Sequence, residues 1–110
     1  MKLPNNELAY IPSSKLINYL LSRTHAVGKS KARFFRKFGF DETNVDIFEQ
    51  GLKIIAQKNE IAEQVSVLHG EKYIIDGKLE TPIGRNINIR TVWIIEKGEI
   101  NPRFVTAHPV

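Results

Sequence analysis

The pattern of apolar and polar positions changes character near residue 60: apolar residues recur at helical spacing before it and alternate or run together as in strands after it. Leu16, Tyr19 and Leu20 form the apolar stripe of a short helix, Lys15 to Ser22, for which Ser13 and Ser14 offer N-caps. A loop over 23–28 leads to a second helix from Lys29 to Phe38, stopped by Gly39. Asn44 caps a third helix reaching Lys58, with Phe48, Leu52 and Ile55 on its inner face. Residues 1–12, with Pro4 and Pro12, read as an extended leader. Four strands are predicted over 61–68, 71–80, 87–96 and 103–108, joined by connections that suit hairpins, with Gly77 marking a bulge. Helices followed by strands predict an α+β fold: two to three N-terminal helices packed on one face of a four-stranded antiparallel sheet. The expected organisation is a single domain over 1–110, with leader 1–12, helical part 13–58 and sheet 61–108.

Composition narrows the chemistry. The chain is 42% hydrophobic and 25% charged, an ordinary balance for a domain with its own core. It has no cysteine, which excludes disulfides, thiolate metal sites and a thiol nucleophile. No apolar run approaches the ~18 residues of a membrane span and the first residues do not resemble a signal peptide, so no membrane association and a cytoplasmic location are expected. The net charge of +4 conceals an asymmetry: the first 37 residues hold eight basic side chains against Glu7 alone, a balance of +7, and the remainder is −3. Such a basic region attracts phosphate backbones or forms a solvated helix face.

The second helix contains an anomaly. At 100° per residue, Lys29, Arg33, Arg36 and Lys37 make one basic stripe and Phe34, Phe35 and Phe38 make the opposite, core stripe. Lys31 falls among the phenylalanines. Such a cation either pairs with a carboxylate of the sheet or is poised for a phosphate or a developing negative charge. Gly28, Lys29 and Ser30 open this helix, whose free amides favour anions, although no P-loop pattern is present. His25, on the entering loop, is a general base or acid beside Lys31, or a structural histidine.

Polar residues also interrupt the strands. Arg90 lies in the most apolar run, and alternation puts Phe104, Thr106 and His108 on one face of the last. His25, Lys31, Arg90 and Thr106, with His108 as a second acid or base, suffice for phosphodiester cleavage without a metal or other cofactor. Lys29, Ser30, Arg33 and Lys37 would hold the substrate. Trp93 or Tyr73 would stack on a base, or else belong to the core. The isolated histidines at 25, 69 and 108 do not suit a metal site.

The stretches 19–22, 24–35 and 70–73, Arg90-Thr91-Val92-Trp93 and Pro102-Arg103-Phe104-Val105-Thr106-Ala107-His108-Pro109 resemble a widespread bacterial domain of unknown function. That domain occurs as a small stand-alone protein and at the ends of toxin-like chains. More distantly, the order of elements is similar to the barnase–EndoU–colicin–RelE group of ribonuclease toxins, which commonly draw histidine and lysine from the helices and arginine with threonine or serine from the strands. The resemblance implies a ribonuclease toxin acting on RNA, His25 and Lys31 supplying the helical pair and Arg90 and Thr106 the sheet pair. It also implies a small antitoxin protein, encoded nearby, as partner. His108-Pro109 departs from the group's Tyr-Pro ending. The alternative is a non-catalytic module that binds RNA or protein through helix 29–38.

Overall fold

In a computed structural model, which describes residues 1–26 and 28–110, the helical part begins with α1, Ser13–Lys15, and continues as a π-helical turn, Leu16–Leu20. Val27, in the loop expected to precede the second helix, lies outside the described residues. Pro12, not a serine, is the N-cap residue of α1. The widened turn is closed by Leu21 N–H donating to the Leu16 carbonyl at 2.8 Å, and it turns both Leu16 and Leu20 into the core. Helix α2 spans Lys29–Lys37 and α3 spans Val45–Lys58.

The end of α2 shows why the chain turns at Gly39. Gly39 adopts φ 98°, where only glycine is unstrained. Its N–H donates to Arg36 O and Phe40 N–H to Phe35 O, which is the Schellman closure. Phe35 and Phe40 then meet at 6.5 Å between ring centroids, the apolar contact that accompanies this cap. Asn44 occupies the cap position of α3, but its side chain works backwards, accepting from Asp41 N–H and donating to Gly39 O.

Strands β1 (Glu63–Val67), β2 (Gly70–Glu80), β3 (Asn86–Glu96) and β4 (Arg103–Pro109) form an antiparallel sheet in sequence order. The α+β expectation is met: Tyr73, Ile75, Leu79, Ile89, Trp93, Phe104 and Ala107 bury one sheet face against Leu16, Leu20, Phe35, Phe48, Leu52 and Ile55. Gly77 is no bulge, since it pairs regularly with Ile89. Its missing side chain admits α3, because a Cβ there would lie 2.7 Å from Asn59 and 2.9 Å from Ile55. The register shift falls instead between β3 and β4: Trp93 pairs with Phe104 and Val92 with Thr106, leaving Val105 as the extra residue. Consequently Thr106 and His108 do not share a face with Phe104, contrary to simple alternation.

The leader is not merely extended. It contains a 3₁₀ turn, Asn6–Leu8, buries Leu3, Ala9 and Ile11, and bridges to Glu60 and Arg103 through Lys2 and Tyr10. Among the described residues no helix is long and apolar enough to cross a membrane.

Candidate functional site

Helix α2 sets the site by its rotation. Ala32 and Phe35 are its buried residues, and Phe34 and Phe38 are only half-buried. The buried side therefore centres between Ala32 and Phe35, about 80° from the phenylalanine centre at 100° per residue. Small Ala32 allows this close approach. The rotation draws Arg36 out of the basic stripe, so that it donates to the Leu21 carbonyl through Nε at 3.0 Å and Nη2 at 2.6 Å while pairing with Glu42. It also moves Lys31 to the flank of the core. There it meets no carboxylate among the described residues: Nζ donates to the Tyr19 hydroxyl at 2.9 Å and stands 5.2 Å from the ring centroid.

Tyr19 is the centre that the sequence did not reveal. Its spacing from Leu16 marks it as one more apolar position, and its phenol is the only clue to another use. The structure places its hydroxyl 3.1 Å from Thr106 Oγ1, with Lys15 Nζ 5.1 Å from its ring centroid. The His25 ring meets the Tyr19 ring edge-on at 5.1 Å. Gly28 makes this packing possible: a Cβ there would lie 2.9 Å from Tyr19 Cδ1 and closer still to the Tyr19 carbonyl oxygen. Burial pushes the Tyr19 phenol up, but the hydrogen bonds with Lys31 and Thr106 and the charges of Lys31 and Lys15 outweigh it, so it ionises below the ordinary phenol range.

The His25 tautomer follows from the backbone. Gly28 N–H donates to His25 Nδ1 at 2.9 Å, so the neutral imidazole carries its hydrogen on Nε2. In that form Nε2 is a hydrogen-bond donor. An open cleft of about 560 Å³ lies over the cluster, lined by Ser14, Lys15, Asn18, Tyr19, His25, Val105 and Thr106. A second hollow, about 360 Å³, is lined by Arg23, Lys29, Ala32, Arg33 and Arg36. Neither lining contains a carboxylate. Ser30 and Lys37 are exposed on α2 and line neither.

Four residues offered for the site lie elsewhere. Arg90 projects from the sheet face opposite Thr91 and Trp93, where Asp76 takes it in a bidentate pair at 2.8 and 2.9 Å. That hydrogen-bonded pair raises the Arg90 pKa and lowers that of Asp76. His108 pairs with Arg90 across the sheet, its Nδ1 3.1 Å from the Pro109 carbonyl. Trp93 is completely buried, its indole N–H donating to Thr91, and Tyr73 is nearly so; neither ring is open for a base to stack on. A further hollow of about 610 Å³, lined by Asn59, Asp76, Gly77, Lys78, Asn88 and Val110, shares no residue with the Tyr19 cleft.

The fold is similar to that of a chain in the contact-dependent growth inhibition toxin–immunity protein complex from Klebsiella pneumoniae 342, with 14% identity and a TM-score of 0.72 over 94% of this chain and 95% of that chain. No curated protein matches the sequence. The family model of the domain of unknown function DUF6883 matches residues 2–110, and the chain accordingly belongs to that family.

Proposed function

We propose that the protein is a metal-independent endoribonuclease that acts as a toxin and is neutralised by a small inhibitory protein encoded nearby. The observation that carries the reading is the gathering of Lys15, His25 and Thr106 with Tyr19 in the lining of one cleft that has no carboxylate, with Lys31 hydrogen-bonded to the Tyr19 hydroxyl. An electropositive, acid-free cleft is complementary to the crowded negative charge of a phosphodiester in its transition state. RNA is the substrate class this set can cleave unaided, because its 2′-hydroxyl supplies the nucleophile. The 2′-oxygen attacks phosphorus, the bond to the 5′-oxygen breaks, and a 2′,3′-cyclic phosphate and a 5′-hydroxyl result. Lys31, Lys15, the Thr106 hydroxyl and Nε2–H of His25 are the donors toward the phosphate oxygens. Arg23, Lys29 and Arg33 in the second hollow carry the strand onward. The likeness to a chain of a toxin–immunity complex supports both the toxin assignment and a protein partner.

Bulk RNA incubated with the purified protein in EDTA should yield fragments with cyclic phosphate and 5′-hydroxyl ends. Expression should arrest growth, and the neighbouring gene product should relieve the arrest. Salt-sensitive RNA binding without cleavage or arrest would instead establish the non-catalytic module built on α2.

A further inference from the structure

Resting on the ribonuclease reading, we propose that Tyr19 is the catalytic base and Lys31 the matching acid of the cleavage step. A buried structural tyrosine ordinarily donates its hydroxyl to a carbonyl or carboxylate. The Tyr19 oxygen is surrounded differently: it accepts from the Lys31 ammonium at 2.9 Å and lies 3.1 Å from the Thr106 hydroxyl, which can also donate. Donors on both sides suit an oxygen that bears negative charge. The charged and titratable groups facing it are Lys15 from α1, Lys31 from α2 and His25 from the entering loop, with no carboxylate among them. The ring meets His25 edge-on, and the missing side chain of Gly28 leaves room for its Cδ1. Its backbone lies in a π-helical turn, a distortion that recurs at functional sites.

The step balances within the pair. The Tyr19 phenolate takes the 2′-hydroxyl proton as the 2′-oxygen bonds to phosphorus. The bond to the 5′-oxygen breaks, and that oxygen receives a proton from the Lys31 ammonium. The pair is left as phenol and amine, and transfer of one proton from Tyr19 to Lys31 along their hydrogen bond restores it. No net proton is consumed.

The test combines a titration with a kinetic profile. The chain has three tyrosines, so phenolate absorbance can be followed on the intact protein. One step should fall below the others, vanish in Tyr19→Phe and move upward in Lys31→Met. Cleavage of bulk RNA by wild type should rise with pH and level off at that same midpoint. Tyr19→Phe should lose about 10²–10⁴-fold in rate. A fluorinated tyrosine at position 19, more acidic but still hydroxylated, should preserve the fold and move the midpoint to lower pH. Ordinary titration of Tyr19, a Tyr19→Phe rate within threefold of wild type, or an unmoved midpoint in the fluorinated protein would overturn the assignment and leave the ribonuclease reading standing. Wild-type protein that cleaves no RNA at any pH would overturn both.

Discussion

Lys31 departs from its helix pattern because its partner comes from another element, 12 residues earlier in the chain. Periodicity marks a cation beside phenylalanines as out of place, yet it cannot identify what the cation meets. Tyr19 was hidden for the converse reason, since a tyrosine at apolar spacing satisfies the pattern and raises no question. Gly28 ties the two together, and it yields a prediction at this scale. Its φ of −85° is open to any residue, so Gly28→Ala acts by collision alone. The added methyl would lie 2.9 Å from Tyr19 Cδ1 and closer still to the Tyr19 carbonyl oxygen, so it pushes the π-helical turn away from Gly28 and carries the Tyr19 ring from Lys31 and Thr106. Displacement of about 1 Å at a reacting group costs on the order of 10²-fold. A cleavage assay should show that loss, with far-ultraviolet circular dichroism unchanged. Thr91 gives a second prediction, this one about stability. Fully buried, it accepts the Trp93 indole N–H at 2.9 Å and donates to Ile75 O at 2.8 Å. Thr91→Val keeps the shape and orphans the indole N–H, which should cost about 1–3 kcal/mol in urea denaturation without changing cleavage.

Among the elements, α2 and β4 show how much of the site was legible. The end of α2 at Gly39, the face of α3 and the four strands follow from local pattern, with boundaries shifted by a residue or two. The rotation of α2 does not, because it depends on small Ala32 settling toward the core and on the Leu21 carbonyl requiring a donor. Nor does the bulge at Val105, which brings Thr106 opposite Val92 while Phe104 stays in the core; alternation alone misplaces everything after it. Arg36 ties α2 to the end of the π-helical turn and to the segment before α3, binding the Leu21 carbonyl on one side and Glu42 on the other. Its hydrogen bonds lower the Glu42 carboxyl from an ordinary 4.5 to about 2. A carboxyl depressed in the folded state stabilises the fold above its unfolded pKa, and that contribution is lost as pH falls through the folded value. Melting temperature should therefore drop between about pH 4.5 and about pH 2 more steeply in wild type than in Glu42→Gln. Parallel curves would show that the pair contributes nothing.

At the scale of the whole molecule, the uneven charge of the sequence becomes a division between surfaces. Of the eight basic side chains in the first 37 residues, Arg36 is the one in an ion pair among the described residues. In the sheet, Arg90 and Arg103 are held by Asp76 and Glu96. Net charge therefore counts two kinds of cation together: those already neutralised by a neighbour and those available to an external phosphate. Counterion release separates them, because only a cation that neutralises a phosphate contributes to the salt dependence, at about −0.7 per contact on a single strand. Single-stranded DNA is a suitable probe, since it presents the phosphates without the 2′-hydroxyl that permits turnover. Lys29→Ala and Arg33→Ala, in the second hollow, should each flatten the plot of log affinity against log salt by about 0.7. Arg90→Ala should leave the slope unchanged, because its guanidinium is already neutralised by Asp76, which takes Nε and Nη2 in a bidentate pair. If Arg90→Ala flattened the plot and Arg33→Ala did not, the nucleic acid would lie on the open sheet face, away from the Tyr19 cleft.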